Sequence, residues 1–388
     1  MNIQQLRNDT PGTQTCIHFN NAGASLMPKP VLDALYAHLE LETYGGGYEA
    51  EAKMQPEIRA FYTRMAQLFG CHDHNIAYCA NATDAYSRAL SSIPFKAGDV
   101  ILTTTNDYIS NQIAFFSLQK RVGVQVIRAE NTPSGEVDLN SMEALMKQHQ
   151  PKMVSVTHVP ANSGLIQPVA AVGKLCQQYD TWYFVDGCQS AGQLELDLTA
   201  MGCDFFSGTF RKFMRGPRGG GFLYVSDKAL AAGLEPLFID SRGAVWNSEN
   251  TYQALQNAKR FEDFENSIAV LLGCSAAVQY ILDCGMSAIE TRIRLLAAYT
   301  RTQLATLPNV TVLDKGQNLC GIVTCAIAGK EALPLRAYLH QHTINTSIGF
   351  RNFALLDFNE KNVDWALRLS PHAYNTVEEV DKVMEALR

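Results

Sequence analysis

The sequence predicts an α/β protein with a large domain built on a mostly parallel sheet and a smaller α+β domain at its C-terminal end. With 388 residues, the chain is longer than one ordinary hydrophobic core requires. Apolar runs of strand length alternate with helical patterns up to Gly285, which is typical of parallel strands joined by helices. Beyond it, helices alternate with amphipathic strands. We expect an N-terminal segment over residues 1–15 that packs with the small domain, a large domain over 16–284 and a small domain over 285–388.

The composition is that of a well-packed globular enzyme, with 47% hydrophobic and 18% charged residues. The formal net charge of -6 argues against a nucleic acid or a membrane surface as a partner. The first residues lack the pattern of a secretory signal, and no apolar run is long enough to span a membrane. The ten cysteines show no paired spacing and indicate reduced thiols. Together these features predict a cytoplasmic protein.

One stretch contains residue types that could bind a metal ion, Cys71-His72-Asp73-His74 followed by Cys79. No second pair of ligands follows at a spacing typical of metal sites. We therefore expect a polar turn there and predict no metal.

The chain begins with a short strand, a loop of small residues and two helical stretches. Residues 16–28 give the strand and the loop, and the prolines near residue 30 are placed to begin a helix over 31–43. The segment Tyr44-Gly45-Gly46-Gly47-Tyr48-Glu49 interrupts the helical pattern and predicts a mobile or ligand-contacting loop. An amphipathic helix over 56–69 and a strand over 76–79 follow.

A helix that begins at Asn81 offers a place for an anion. Its free N–H groups and the hydroxyl of Thr83 are what a bound phosphate needs. Thr83 is also an ordinary N-cap residue, and this alternative stays open.

The remaining elements continue the alternation of strands and helices. In the large domain we expect strands over 100–104, 122–129, 152–157, 182–185, 204–207 and 222–225, and helices over 139–149 and 172–179. A long helical pattern over 250–282 is broken near residues 260–265. In the small domain we expect helices over 288–307, 333–341 and 377–387, and strands over 310–313, 320–328 and 366–370.

An acid and a lysine are predicted to meet at one edge of the large sheet. The apolar run 182–185 ends at Asp186, and Lys212 lies in the turn after the next strand, before a glycine-rich exit. Pyridoxal 5'-phosphate (PLP) needs both groups, a lysine amine that forms a Schiff base and a carboxylate that keeps the pyridine nitrogen protonated. A helix-capping aspartate with a solvated lysine is the alternative. We predict PLP as the cofactor.

Asp186, Gln189 and the stretch SGTFRKFMRGPRGGGFLYV resemble the cofactor site of the fold-type I superfamily of class V aminotransferases and cysteine desulfurases. The resemblance extends over most of the chain. It implies a large domain with a seven-stranded sheet, PLP linked to Lys212 and contacted by Asp186 and Gln189, and a small-molecule amino acid as substrate. It also implies a homodimer with the site near its interface.

The resemblance assigns the phosphate of PLP to four residues. It implies that Ala82 and Thr83 bind the phosphate, that Thr209 donates to it and that Arg211 flanks it. The guanidinium of Arg211 suits a phosphate, and a surface arginine in a basic loop is the alternative.

Two more residues are assigned to the cofactor by resemblance. Tyr108 would stack on the pyridine ring where the superfamily commonly has histidine, which speaks against chemistry that uses a ring histidine as acid or base. Core packing is the alternative for Tyr108. Asn162 would face the cofactor hydroxyl, with a plain turn residue as the alternative.

The substrate residues follow from one arginine and the segments near the expected site. Arg368 lies in an otherwise apolar strand, where it needs an anionic partner, and its planar group fits a carboxylate. The resemblance implies the α-carboxylate of an amino acid, with a structural ion pair as the alternative. It places Asn21 and Ala22 beside the substrate, where a plain turn is the alternative. Tyr48 and Ser347 are candidate specificity positions because their segments flank the expected site.

The predicted reaction is β-elimination by a carbon–sulfur lyase. A cysteine desulfurase needs a nucleophilic cysteine on the loop before Arg368, and residues 342–364 contain none. Cys320 and Cys325 lie on an apolar strand and are assigned to the core. The segments Gly46-Gly47-Tyr48-Glu49 and Arg260-Phe261-Glu262 resemble the branch of isopenicillin epimerase and hercynylcysteine sulfoxide lyase. We expect an L-cysteine S-conjugate or sulfoxide to give pyruvate and ammonia.

Other functions stay open at this point. An aminotransferase or an isopenicillin-epimerase-like racemase is the main alternative, and a cysteine desulfurase is less favoured. A non-catalytic binding protein of the same fold is least favoured, because Asp186, Gln189, Lys212 and Arg368 are all present.

Overall fold

The alternating strands and helices form one large sheet and one small sheet in the computed structural model, which describes residues 1–388. The strands are β1 Ile17–His18, β2 Ile76–Cys79, β3 Val100–Thr103, β4 Gln125–Arg128, β5 Met153–Thr157, β6 Trp182–Asp186, β7 Phe205–Thr209, β8 Gly221–Val225, β9 Ala244–Ser248, β10 Thr251–Ala254, β11 Val310–Val312, β12 Val323–Ile327, β13 Ile344–Asn345, β14 Ser347–Phe350 and β15 Trp365–Leu369. The helices are α1 Ile3–Asn8, α2 Lys29–Gly45, α3 Gly47–Phe69, α4 Ala82–Ser92, α5 Ile109–Val122, α6 Leu139–His149, α7 Val169–Gln178, α8 Leu198–Met201, α9 Asp227–Ala231, α10 Ile268–Cys284, α11 Met286–Leu304, α12 Ala332–Gln341, α13 Leu355–Lys361 and α14 Val377–Leu387.

The large sheet has seven strands in the order β2-β8-β7-β6-β5-β3-β4. All neighbouring pairs from β7 to β4 are parallel, whereas β8 runs antiparallel to both β7 and β2. Alternate residues of β6 belong to two different hydrophobic clusters, with Tyr183 and Val185 on one face and Phe184 on the other. Burial on both faces explains why the strands read as continuous apolar runs. The predicted mostly parallel sheet is confirmed.

The C-terminal part contains a four-stranded antiparallel sheet in the order β11-β12-β15-β14, with a hydrophobic cluster of its own. The first strand of the chain, β1, pairs in parallel with β13 from this part. Arg7 in α1 also forms a salt bridge of 2.8 Å with Glu379 in α14. The N-terminal segment therefore contacts the C-terminal part, while the three domain boundaries stay predictions.

The helices α10 and α11 meet at Gly285, whose φ of 81° suits glycine. No single helix has both the length and the apolar character to cross a bilayer. The pair α10 and α11, bent by 83°, meets that criterion only together and only by length and composition.

The prediction of a loop over residues 44–49 is wrong. Helix α2 continues to Gly45 and α3 begins at Gly47, so only Gly46 separates them. Its φ of 89° lies in the region that glycine reaches without strain, which lets one helix end and the next begin at once. Several glycines in a row resemble a loop in sequence, but only one of them is needed to change the helix direction.

The long helical pattern predicted over 250–282 is wrong in its first part. Strands β9 and β10 form an antiparallel hairpin, and a short 3-10 turn over Ala258–Phe261 follows. Helix α10 begins only at Ile268, after the N-cap Ser267. Both hairpin strands are largely exposed, so they lack the alternation of buried and exposed residues by which a strand is recognised.

Candidate active site

Asp186 and Lys212 lie at the carboxyl edge of the large sheet, where α/β proteins commonly bind ligands. Asp186 is the last residue of β6, and Lys212 lies in the turn that follows β7. Both residues are buried, with 3% and 8% of their surface exposed. The sheet therefore places an acid and an amine on the same cavity, each largely buried.

Backbone hydrogen bonds close the turn that carries Lys212. The N–H of Phe210 donates to Gly220 O over 3.2 Å, and the N–H of Gly216 donates to Phe210 O over 2.8 Å. Inside the turn, the N–H of Arg215 donates to Lys212 O over 2.9 Å. These bonds fix the backbone from which the lysine side chain extends.

Gly192 lets the segment after Asp186 pack directly against the Lys212 turn. A Cβ atom at this position would lie 2.5 Å from both Phe213 C and Met214 N, closer than real Cβ atoms approach other atoms. Its φ of 85° is also in the left-handed region that favours glycine. A larger residue would push the two segments apart and separate the acid from the lysine.

A hydrogen-bond network holds the carboxylate of Asp186. Its Oδ2 accepts from Asn111 Nδ2 over 3.0 Å, and its Oδ1 accepts from the N–H of Cys188 over 2.9 Å. Asn111 Nδ2 also lies 3.0 Å from Asp107 Oδ1, and Thr157 Oγ1 donates to the same oxygen. Burial raises the pKa of Asp107, and its hydrogen bonds oppose this. The network orients Asp186 before any ligand binds.

Burial lowers the pKa of Lys212. The nearby Cys188 and Asp186 act in the opposite direction, while Arg211 lowers the pKa further. A lowered pKa increases the share of neutral amine, the form that attacks a carbonyl carbon or accepts a proton.

Eight residues predicted to contact the cofactor line one cavity around this amine. They are Ala82, Thr83, Tyr108, Asp186, Gln189, Thr209, Arg211 and Lys212. The structure therefore brings together residues at or just after the ends of β3, β6 and β7 and residues at the start of α4, and their individual roles stay predictions.

The start of helix α4 supplies free backbone donors to this cavity. Asn81 Oδ1 accepts from the N–H of Asp84 over 2.9 Å, which leaves the N–H groups of Ala82 and Thr83 without a partner in the helix. Gly221 allows β8 to lie against this helix start, since a Cβ there would be 2.4 Å from Asn81 C. With the cation of Arg211 on the same cavity, this end suits a phosphate group.

The side chain of Gln189 leaves one hydrogen-bonding atom free. Its Nε2 donates to Ala22 O over 3.1 Å, while its buried Oε1 has no partner. A buried acceptor without a partner is costly unless a ligand supplies the donor. The phosphate seat, the oriented acid, the lysine and this acceptor together fit PLP, which carries a phosphate, a pyridine nitrogen, an aldehyde and a ring hydroxyl.

A second cavity adjoins the first and contains Arg368. Its Nη1 donates to Ala161 O over 3.0 Å and its Nη2 to Asn20 Oδ1 over 3.5 Å, whereas its buried Nε has no partner. Burial lowers the pKa of Arg368 to about 10, and Arg211 contributes. No carboxylate is among its partners, which removes the structural ion pair as an explanation. The rest of the lining is largely apolar and includes Ile348 and Phe358.

The other predicted residues take up different positions. Asn162 borders the Arg368 cavity and not the Lys212 cavity, and its Nδ2 donates to Asp357 over 2.6 Å. Ser347 lies on β14 directly opposite Arg368. Tyr48 is 73% exposed on helix α3 and lines neither cavity.

The amide of Asn21 is engaged within the protein. Its Oδ1 accepts from the hydroxyl of Tyr374 over 2.6 Å, and its Nδ2 donates to Ser370 O over 2.8 Å. The N–H of the neighbouring Ala22 donates to Ser370 Oγ over 2.9 Å. Both residues tie the N-terminal loop to β15 and thus support the wall that carries Arg368.

Sequence reasoning missed the residues that hold Asp186. Asp107 lies just before helix α5 and Asn111 in its first turn, and this spacing of four residues lets the two side chains meet. That spacing was the available signal. Their connection to Asp186 could not be seen, because Asn111 and Asp186 are 75 positions apart in the chain.

Only one cysteine lines the Lys212 cavity, Cys188. Burial raises the pKa of its thiol, and the negative charge of Asp186 raises it further. Cys320 and Cys325 are fully buried, as the sequence suggested. No group of three or more His, Cys, Asp or Glu residues is arranged to hold a metal ion, and His74 instead contacts Asp227 over 2.7 Å.

The comparisons with known proteins cover almost the whole chain. The profile of the family described as "Aminotransferase class-V" matches residues 17–383. A protein of Pyrococcus abyssi named "Probable cysteine desulfurase" is 27% identical over 394 residues, which are 99% of this chain and 96% of that protein.

Solved structures show the same fold. The apo structure of a cysteine desulfurase from Thermococcus onnurineus has a TM-score of 0.91 at 26% identity, covering 99% of this chain and 96% of that one. The cystine C–S lyase C-DES, solved with its product cysteine persulfide, has a TM-score of 0.85 at 21% identity, covering 97% and 98%. A lysine-to-alanine variant of C-DES carries glycine covalently linked to its PLP cofactor, with a TM-score of 0.87 at 20% identity, covering 98% of each chain.

Proposed function

This chain belongs to the class-V aminotransferase family and is a PLP enzyme, and we propose that it is a carbon–sulfur lyase acting on an L-cysteine derivative. In the proposed reaction the Cα–H and Cβ–S bonds of the substrate break, the sulfur leaves as a thiol or, from a sulfoxide, as a sulfenic acid, and 2-aminoacrylate is released. Hydrolysis of 2-aminoacrylate gives pyruvate and ammonia. When bound, PLP supplies an electron sink for the electron pair left at Cα.

The residues of the two cavities would divide the work as follows. Arg368 binds the α-carboxylate with its unpaired Nε and so orients the substrate. Lys212 Nζ accepts the proton from Cα, helped by its lowered pKa. Asp186, fixed by Asn111, keeps a proton on the pyridine nitrogen, while the start of α4 and Arg211 bind the phosphate.

One observation carries the choice of elimination, the lack of a thiol suited to take sulfur from a bound cysteine. Residues 342–364 bring Ile348, Phe350 and Phe353 to the Arg368 cavity and contain no cysteine. Cys188, the one thiol on the Lys212 cavity, is held protonated by burial and by Asp186, and the thiolate is the nucleophilic form. Departure of the sulfur with its substituent needs no such thiol.

Cysteine desulfuration is the second candidate, since the relatives compared above carry that name. Proteins of this one fold carry names of both activities, so the fold does not decide between them.

The products distinguish the two reactions. Purified enzyme loaded with PLP is incubated with L-cysteine and with a panel of cysteine S-conjugates and sulfoxides, and pyruvate, ammonia and alanine are measured. Elimination gives pyruvate and ammonia in equal amounts. Desulfuration instead gives alanine, and only L-cysteine, not its S-conjugates, serves as the substrate. Release of alanine without pyruvate would refute the lyase. Formation of a pyridoxamine cofactor, or entry of solvent deuterium at Cα of recovered substrate, would favour a transaminase or a racemase.

A further inference from the structure

We propose that Arg128 binds a second anionic group, carried at the far end of an apolar substrate side chain. This inference rests on the proposed function, because it names the class of cysteine S-conjugate that the same site accepts. The conjugate would have a carboxylate at the end of a hydrocarbon arm on sulfur.

Three neighbouring cavities define a path away from Lys212, because each shares lining residues with the next. The Lys212 cavity and the Arg368 cavity share Tyr108 and Ala161. The Arg368 cavity in turn shares Asp107, Asn162 and Phe353 with a third cavity, which is lined by Arg128. A substrate bound through its α-carboxylate at Arg368 can therefore extend its side chain toward Arg128.

The third cavity has apolar walls that are exposed to solvent. Ile113, Phe116, Phe353, Leu355 and Leu356 line it, and each has between 40% and 59% of its surface exposed. Exposed apolar residues gathered around one cavity indicate a binding surface more often than chance. A hydrocarbon arm would cover them and remove apolar surface from water.

Arg128 lies at the end of this path. It is the last residue of β4 and thus lies at the same sheet edge as Asp186. Its guanidinium lies over the ring of Phe116 at 5.7 Å from the centroid, and Nη2 donates to Gln112 Oε1. Its buried Nε has no hydrogen-bond partner. The group is held in place and yet lacks a carboxylate.

The two acidic residues of the third cavity, Asp107 and Asp357, accept hydrogen bonds from residues other than Arg128. Asp107 Oδ2 accepts from Gln112 Nε2 over 2.7 Å, and its other oxygen belongs to the network around Asn111. Asp357 accepts from Lys361 Nζ over 2.7 Å and from Asn162 Nδ2 over 2.6 Å. The charge of Arg128 is therefore available to an anion that enters from outside.

The test compares substrates that differ only at the far end. Cysteine S-conjugates with aliphatic arms of increasing length are prepared in pairs, one ending in a carboxylate and the other in the primary amide. For each pair, kcat/KM is obtained from pyruvate release, and Kd is obtained by calorimetry with the PLP-loaded enzyme. We expect the carboxylate to be preferred at least about tenfold at the arm length that reaches Arg128, the effect of one charge-assisted hydrogen-bond pair.

Variants then assign the preference to Arg128. In Arg128→Met the ratio between carboxylate and amide should fall below about twofold, and Arg128→Lys should restore part of it. The matched control Arg121→Met removes an exposed arginine outside the cavity and should leave the ratio unchanged.

The outcomes test the role of Arg128 and the proposed lyase function separately. Equal kcat/KM and Kd for carboxylate and amide in the wild-type enzyme would overturn the inference whether or not the variants fold, and would also be the result if a second copy of the chain covered this cavity. A preference that persists in Arg128→Met would overturn it too. If no conjugate releases pyruvate, the proposed lyase function fails, while the ratio of Kd values still decides the role of Arg128.

Discussion

The Lys212 cavity and the Arg368 cavity share a wall, but the charged residue of the first has its hydrogen-bond partners within the protein, whereas that of the second is partly unpaired. In the first, the carboxylate of Asp186 already accepts hydrogen bonds from Asn111 and from the backbone of Cys188. In the second, Arg368 contacts only neutral oxygens and leaves Nε unpaired. A saturated charge holds a permanent group in one orientation, whereas an unpaired charge is left for a ligand that comes and goes. We infer from this difference that the first cavity holds the cofactor and the second the substrate.

The largest effect is expected at the amine itself. In Lys212→Ala the rate of pyruvate release should fall by at least about a thousandfold, because the group that moves the Cα proton is lost. The absorption band between roughly 400 and 430 nm should also disappear, since it depends on the link between lysine and cofactor. The control Lys174→Ala changes an exposed lysine on helix α7 and should alter neither property. A band that persists in Lys212→Ala would contradict the assignment.

The second prediction compares two arginines. In Arg368→Met the KM for the amino acid should rise about tenfold to a hundredfold, while the melting temperature should not fall, because no internal carboxylate loses its partner.

In the matched variant Arg301→Met the protein should become less stable by on the order of 3 kcal/mol. The Nε of Arg301 lies 2.7 Å from Asp314 Oδ2, and the side chain of Asp314 is 1% exposed, so the variant leaves a buried carboxylate unpaired. Thermal denaturation and steady-state kinetics of both variants provide the check. Equal loss of stability in the two would show that Arg368 is also structural.

Acid should destabilise the folded protein through the imidazole of His158, a residue whose backbone N–H donates to the backbone carbonyl of Asp186 over 3.0 Å. Burial lowers the pKa of His158 to about 4. The unfolded chain, in which the pKa is near ~6.5, takes up the proton first as the pH falls, so stability is greatest above that value and is lost toward the folded pKa. We expect a loss on the order of 2 kcal/mol between about pH 7 and about pH 5.

Chemical denaturation of the wild type and of His158→Gln at several pH values measures this loss of stability. The variant should lose less stability over the same pH range, although His372 continues to contribute, because burial lowers its pKa to about 3. Identical pH slopes in the two proteins would show that His158 takes up its proton over the same pH range in the folded and the unfolded state.

The smallest effect is expected at Tyr108, which borders both cavities. In Tyr108→Phe the ring is kept and kcat should change by less than about threefold, since the hydroxyl is not needed as an acid or base. Tyr108→Ala removes the stacking surface and should cost about tenfold. Steady-state rates of both variants suffice, and a large loss in Tyr108→Phe would assign a chemical role to the hydroxyl.

The sequence predicted strands and helices correctly where neighbouring residues alone determine the element. The strand over 76–79, the helix over 139–149 and the helix over 377–387 have the predicted bounds, because each has a regular apolar pattern between clear end signals. Asp186 and Lys212 could be paired because both follow apolar strands of one sheet. The predicted role of each site residue nevertheless stays a prediction.

What the sequence could not supply depends on contacts between distant segments. The link from Asn111 to Asp186 and the position of Arg128 at the end of a path of cavities arise only when strands 3 to 7 lie side by side. The hairpin β9–β10 was missed for a different reason, since strands exposed on both faces carry no burial pattern.

The pairing of β1 with β13 has a consequence for how the protein is made. The ribosome delivers residues 17–18 early, but their partners at 344–345 emerge only near the end of synthesis. The large sheet, whose last strand ends at Val225, can assemble long before that moment, whereas the N-terminal strand stays unpaired. A nascent chain stalled before residue 344 would therefore already contain the strands that carry Asp186 and Lys212, but it would lack Arg368 and the partner of its first strand.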